Sequence, residues 1–200
     1  MIELVVATRN RHKTCEIQHI LGPQFMVRDL ADTDAPEILE NGTSFEENAT
    51  VKALAASRHL PGPVIADDSG LEVDALGGAP GIYSARYAGA NATDRAKIDK
   101  LLRELARVSS TGDECRARFR CVAALARNGD LLGTFEGTVE GRITDKARGN
   151  SGFGYDPIFI PEGLEQTFGE LPTEVKNTIS HRAKAIRALA DRLRRLEFGD

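Results

Sequence analysis

Apolar residues first gather in Ile2–Ala7 (IELVVA), a short run ended by polar residues, which is the pattern of a buried strand. From about Lys13 to Leu21 the chain reads as a helix, closed by Gly22-Pro23. Ser44-Phe45-Glu46-Glu47 has the S-x-x-E form of a helix start, in which hydroxyl and carboxylate satisfy the first free N–H groups. The Ala-rich stretch behind it continues to Leu60, where Pro61-Gly62-Pro63 stops it. Val64-Ile65-Ala66 reads as a compact strand running straight into Asp67-Asp68-Ser69-Gly70. Thr93–Val108 predicts an amphipathic helix with Ile98, Leu101, Leu102 and Leu105 on one face. Residues 115–127 and 131–139 flank Asn128-Gly129-Asp130, and Asn-Gly is a strong hairpin signal, so these two strands are antiparallel. Ser180–Phe198 predicts a basic amphipathic helix with Ile186, Leu189, Ala190 and Leu196 turned inward. Helices mixed with both crossover and hairpin strands imply an α/β fold with a mixed sheet rather than a regular doubly wound parallel one.

Composition narrows the class. Hydrophobic residues make up 41% and charged residues 28% of the 200 residues, which excludes a disordered chain, a collagen-like chain and a disulfide miniprotein. No period repeats and no long linker interrupts the chain, so residues 1–200 are expected to form one domain. No apolar run approaches the ~20 residues of a membrane-spanning helix. The opening MIELVVATRNRHK lacks a basic, then long apolar, leader, so a cytoplasmic location is expected. A net charge of −4 offers nucleic acid no basic field, and a small anion would need a local cluster of cations. Cys15, Cys115 and Cys121 are odd in number and fit no zinc spacing; they read as reduced thiols.

Four segments carry candidate chemistry. Thr8-Arg9-Asn10-Arg11-His12-Lys13 packs hydroxyl, amide and cationic donors between a strand and a helix N-terminus, and phosphate oxygens accept from all of these and from the N–H groups of a helix N-terminus. It lacks the G-x-x-x-x-G-K-[ST] pattern, which excludes a P-loop NTPase; the bland alternative is an exposed polar loop. Asp67 and Asp68 follow a buried strand, at the strand end where α/β folds place ligands, and strand alternation points them to different sides. One carboxylate then meets a metal while the other holds the loop; the competing reading is a simple Asx turn. Hard cations such as Mg²⁺ take one or two carboxylates plus substrate phosphate, and Glu40 is a candidate second ligand, or else a solvated loop acid. Gly149–Pro157 is a glycine-rich loop with Phe153 and Tyr155, suited either to stacking a base or to anchoring a surface loop on the core. Finally, Ser180 can cap the last helix without any further role, but His181 and Arg182, like Lys176 before them, are donors that helix formation does not require.

In order, these segments resemble the inosine/xanthosine triphosphate pyrophosphatase family. The resemblance rests on ATRNRHK at 7–13, SFEENATVKA at 44–53, ADDSGLEVDALGGAPGIYSARYAG at 66–89, GTVEGRI at 137–143, GFGYDPIF at 152–159 and SHR at 180–182, and so covers nearly the whole chain. It implies an elongated two-lobed α/β fold with a central mixed sheet, an active-site cleft between the lobes, and a homodimer. It also implies Mg²⁺-dependent hydrolysis of ITP, dITP and XTP to the monophosphate and pyrophosphate.

By the same resemblance, Thr8, Arg9, Asn10, Arg11, His12 and Lys13 form the phosphate-side loop. Glu40 and Asp68 are the metal carboxylates, with Asp68 also the proton acceptor. Ser69, Phe153, Gly154, Tyr155, Asp156, Lys176, His181 and Arg182 contact substrate. Position 9, often small in the family, is Arg here, and position 12, often Gly, is His, so the loop beside the phosphates is bulkier. Other readings are a pyrophosphatase for modified or pyrimidine nucleotides, a non-catalytic nucleotide-binding regulator, and a structural or interaction protein. No nucleic-acid or membrane partner is expected.

Overall fold

The computed structural model describes residues 2–31, 38, 40–108 and 115–198. Strand β1 (Ile2–Val6) leads through a polar loop to helix α1 (Arg11–Leu21), which returns the chain to β2 (Phe25–Asp29), parallel to β1 with Ile2 opposite Phe25. Helix α2 (Phe45–Ser57) begins at Ser44, whose side chain accepts from the Glu47 N–H at 3.1 Å. Glu47 reaches back to the N–H and hydroxyl of Thr43, at 2.7 and 2.9 Å. The S-x-x-E signal therefore marks a true helix start, with the return bond made one residue earlier than the simplest form.

Strand β3 (Val64–Val73) also lies parallel to β1, pairing Val5 with Val64 and Val6 with Ile65. Helix α3 spans Asp94–Val108, and Ile98, Leu101 and Leu105 are its buried face. Strands β4 (Cys115–Arg127) and β5 (Asp130–Ile143) are joined by Asn128-Gly129, both with positive φ (54° and 86°), the backbone that a tight two-residue hairpin demands. Strand β6 (Phe159–Pro161) pairs antiparallel with β5, and helices α4 (Thr173–Ile179) and α5 (His181–Phe198) complete the chain. The six strands form one mixed sheet in the order β2-β1-β3-β4-β5-β6.

Two expectations are corrected. The carboxylates Asp67 and Asp68 do not follow β3 but lie inside it, since the strand continues to Val73. On α5 the buried row is Ile186, Leu189, Ala190 and Leu193, whereas Leu196 is exposed. Positions three, four and seven after Ile186 share its face, and position 196 is outside that row.

The chain divides into two compact units: Met1–Asp68 with Cys121–Gly137 and His181–Asp200, and Ser69–Arg120 with Thr138–Ser180. Each has its own core. In the first, Leu4, Val6, Ile17, Phe25, Ile65 and Leu125 pack against Ile186, Leu189 and Leu193 of α5. In the second, Leu71, Val73, Ile98 and Leu101 pack with Phe119, Phe159 and Phe168, whose rings lie 4.7 to 6.1 Å apart. Among the described residues no helix is long and apolar enough to cross a membrane. Cys15, Cys115 and Cys121 are free thiols; burial pushes Cys121 up to about 12, so it behaves as a core residue.

Candidate active site

The sheet order places β1 between β2 and β3, so the chain passes to opposite sides of β1 on leaving it first and on returning later. Such a switch point opens a crevice at the carboxyl ends of the strands, and the loop after β1 sits there. Asn10 caps α1, its side chain accepting from the N–H groups of His12 and Lys13 at 3.0 and 3.4 Å. The Thr8 hydroxyl accepts from Asn10 N–H at 3.1 Å, and Arg9 donates to the Leu30 carbonyl at 2.9 Å. Arg11 and His12 are exposed in the first turn of α1. The expected phosphate-side segment is thus a short loop, residues 8–10, that runs into the capped first turn of α1, with Thr8 and Asn10 engaged in its geometry.

Lys13 reaches across to β3, its ammonium 3.0 Å from Asp67 Oδ1. The other oxygen of Asp67 accepts from Arg182 Nη2 and Nε at 3.1 and 3.3 Å, and Arg182 also donates to Glu16. Asp67, Glu16 and Arg182 are all buried. Burial alone would raise the Asp67 pKa, but Lys13, Arg182 and Lys52 hold it well below the usual carboxylate range. Burial alone would likewise depress Arg182, and Asp67 and Glu16 reverse that too.

Asp68 has different company. Asn48 of α2 donates to its Oδ2 at 3.0 Å, and the Lys52 ammonium stands 3.8 Å from Oδ1. The same ammonium bonds Glu40 at 2.6 Å and the Asp67 carbonyl at 2.6 Å. Burial raises Asp68, and here Lys52 and Asn48 do not overcome it. Lys52, which burial would lower, is raised by Asp67, Asp68 and Glu40. Adjacent carboxylates with opposite shifts are the pattern in which one residue anchors and its neighbour exchanges protons.

The donor set suits a hard divalent cation. Glu40 and Asp68 converge on one ammonium, so their oxygens already face a common centre of positive charge. The ion pairs of this cluster join Glu16, Glu40, Asp67 and Asp68 to Lys13, Lys52 and Arg182. Among the described residues no three His, Cys, Asp or Glu side chains gather as a self-sufficient cage. Two carboxylates completed by phosphate oxygens are how Mg²⁺ is commonly held.

In the second unit Asp156 organises the glycine-rich loop. Its Oδ2 accepts from Phe153 N–H at 2.8 Å and from Lys176 Nζ at 2.5 Å. Gly152 adopts φ 74°, and a Cβ there would stand 2.0 Å from Asp156 Oδ2, so this position has room only for glycine. Lys176 Nζ lies 4.9 Å from the centre of the Phe153 ring. Tyr155 is buried, with its hydroxyl donating to the Ser84 carbonyl at 3.0 Å; Phe153 is half-buried. Of the two aromatics, Tyr155 anchors the loop through its buried hydroxyl, and the half-buried Phe153 carries the Lys176 ammonium over its ring. His181 is buried at the start of α5, directly after Ser180, which ends α4. Ser69 follows Asp68 on β3 and is half-buried.

Residues 4–192 match the Ham1 family. The chain belongs to that family. It is 50% identical over 192 residues to the dITP/XTP pyrophosphatase of Shouchella clausii (strain KSM-K16), covering 96% of each chain. The dITP/XTP pyrophosphatase of Bacillus subtilis (strain 168) is 47% identical over 95% of this chain and 96% of its own length. Among solved structures, a HAM1 protein from Coxiella burnetii superposes with a TM-score of 0.85 at 41% identity, over 96% of this chain and 98% of that one. The Staphylococcus aureus Ham1 protein gives 0.83 at 43% identity, over 98% and 100%. The mixed α/β sheet of this Ham1-family chain is thus the fold of its structural relatives.

Several residues with clear roles here carry weak signals in sequence. Glu16 resembles any helix acid, and only the structure shows it buried against Arg182. Asn48 and Lys52 are four apart on α2, a spacing that puts a buried amide and a buried ammonium on one face.

Proposed function

We propose that this Ham1-family protein hydrolyses ITP, dITP and XTP to the nucleoside monophosphate and pyrophosphate, removing them from the nucleotide pool. The observation that carries this reading is the convergence of Glu40 and Asp68 on Lys52, beside the Lys13–Asp67 pair. A triphosphate carries about four negative charges near neutral pH, and this cluster joins cations to a place for one more. Its relatives' activity as dITP/XTP pyrophosphatases supports the same substrate class.

Water attacks the α-phosphorus in line, the bond to the bridging oxygen breaks, and pyrophosphate leaves with that bond's electron pair. Mg²⁺ held by Glu40 and Asp68 would offset the charge that develops on the phosphate oxygens. Asp68 orients the attacking water and takes its proton late, because an ordinary carboxylate is a weak base toward free water. Thr8, Arg9, Asn10, Arg11, His12 and Lys13 supply the phosphate side, with Lys13 oriented by Asp67.

Ser69, Phe153, Gly154, Tyr155, Asp156, Lys176, His181 and Arg182 form the base side of the site, some by contact and some, such as Tyr155 and Arg182, by holding their neighbours in place. Phe153 stacks on any purine and gives affinity without discrimination. Hypoxanthine and xanthine carry an acceptor at O6, where adenine carries an amino group. Lys176 beside Phe153 is the better placed donor for that oxygen, while Arg182 acts through Asp67. A donor left unpaired opposite adenine costs ~1–3 kcal/mol, enough for about 5- to 150-fold selection. The enzyme works as a single 1–200 pyrophosphatase domain in a cytoplasmic homodimer.

A panel of ITP, XTP, GTP, ATP and dUTP tests this reading. We expect the highest kcat/KM for ITP or XTP; a preference for ATP or for a pyrimidine would refute it, and nucleotide binding without pyrophosphate release would make the protein a regulator.

A further inference from the structure

The glycine-rich loop is held from outside itself at a point that none of the assigned residues explains. Gly154 N–H donates to Oδ2 of Asp94 at 2.7 Å, across sixty positions of sequence. Asp94 opens α3, yet it is not that helix's cap: the Thr93 hydroxyl accepts from Ala96 N–H at 3.2 Å, and the Thr93 carbonyl from Lys97 N–H at 3.1 Å. Its remaining oxygen, Oδ1, is bonded to the Lys97 ammonium at 2.6 Å, and the Lys97 side chain is only 12% exposed. Both carboxylate oxygens therefore have defined partners. One is a backbone amide of the loop; the other is the Lys97 ammonium.

That amide adjoins Phe153, the ring proposed to stack on the base. The Phe153–Gly154 peptide has its two flanking N–H groups clamped, Phe153 N–H by Asp156 and Gly154 N–H by Asp94. Tyr155 pins the next residue to Ser84. Asp156 is buried and bonded to Lys176, so removing it would disturb the loop and the base-reading ammonium together. Asp94 bonds the Gly154 amide and the Lys97 ammonium, so its side chain can be changed while the Asp156–Lys176 pair is kept. It is the separable tether.

We propose that Asp94 is a positioning residue that presents Phe153 to the base, and that it sets affinity for purine nucleotides in general rather than the choice among them. This rests on the reading that Phe153 stacks on the substrate base. The physical reason is that the bond constrains where the ring sits, while the ring itself does not distinguish one purine from another. An interaction that holds substrate and transition state alike raises KM when lost and leaves kcat in place.

The test compares two variants in a Lys97→Met background. Asp94→Asn there keeps an oxygen that can accept from Gly154 with no ammonium competing for it; Asp94→Leu is of similar size and has no acceptor. Steady-state kinetics with ITP and with GTP are measured for both and for the wild type, and KM is backed by calorimetric Kd. The Asn variant is expected within threefold of wild type. The Leu variant is expected to raise KM for ITP and GTP by a similar factor, roughly tenfold, with kcat within threefold. Glycine-selective ¹⁵N labelling should show the Gly154 amide proton moving upfield in the Leu variant and staying in place in the Asn variant.

Equal KM for Asn and Leu overturns the proposal, as does a loss confined to kcat or an altered ITP:GTP ratio. If the Leu variant does not fold while the Asn variant does, the tether is a stability element and the proposal also falls. A wild type that hydrolyses ITP while all proteins share one KM refutes the tether alone; a wild type that binds no purine nucleotide refutes the functional reading as well.

Discussion

Arg182 and Asp67 are 115 residues apart in the chain, yet Arg182 Nη2 lies 3.1 Å from Asp67 Oδ2, joining the first turn of α5 to the middle of β3. The same carboxylate holds Lys13 through its other oxygen. One buried anion thus orients two cations, and the next residue, Asp68, is left with Asn48 and Lys52. Position in the strand does this: neighbours on β3 face opposite ways, so one enters the cationic cluster and the other the carboxylate pair.

Breaking the Arg182–Asp67 pair leaves an uncompensated buried charge. Arg182→Met is expected to lower unfolding free energy in urea by about 3 kcal/mol. Arg182→Lys should recover part of it, since a point charge cannot make the two-nitrogen contact. A Met variant as stable as wild type would show that Arg182 does not support Asp67.

The Asp67 pKa is depressed in the folded protein, so its stabilising contribution is present above the unfolded value of 3.8 and is lost as pH falls toward the folded one. The Tm difference between wild type and Asp67→Asn should be constant from pH 8 to about 5 and shrink below about 4. A difference that peaks in acid would contradict the assignment.

Asp68 shifts the other way. Its folded pKa is raised by burial, so the ionised form costs stability above that pKa and protonation relieves the cost. Asp68→Asn should match or exceed the wild-type Tm at pH 7 while losing roughly a hundredfold or more in kcat. Near-normal kcat in this variant would remove Asp68 from the chemistry.

Lys13→Ala should raise KM for ITP most strongly at low salt, because the lost interaction is between a partly exposed cation and phosphate. A KM independent of both the substitution and ionic strength would speak against phosphate contact.

Ser44→Ala removes the cap of α2 and is expected to cost about 1 kcal/mol, or a Tm drop of roughly 2–4 °C, with kcat unchanged. A calorimetric scan showing no change would mean that Glu47 and Thr43 suffice to close that helix end.

Local signals were the readable part of this chain. Ser44, Asn128-Gly129 and the row Ile98, Leu101, Leu105 announce a cap, a turn and an amphipathic face, and each is found where its chemistry places it. The short strands β2 and β6 and the helix α4 lack such marks, since five, three and seven residues are too few to show a period. The extension of β3 through Asp67 and Asp68 was hidden because two acids in a row argue for a turn. The distant partners Lys13, Asn48, Lys52 and Arg182 help to make burial of those acids tolerable. The same applies to Asp94, an ordinary first-turn acid until Gly154 is found beside it.

The most direct measurement is ³¹P NMR of ITP incubated with the purified protein and Mg²⁺, with a parallel sample in EDTA. Inosine monophosphate and pyrophosphate should form together in equal amounts, at a rate abolished by EDTA and by Asp68→Asn. Release of inorganic phosphate with inosine diphosphate, or turnover that survives EDTA, would contradict a carboxylate-held cation cutting next to the α-phosphorus.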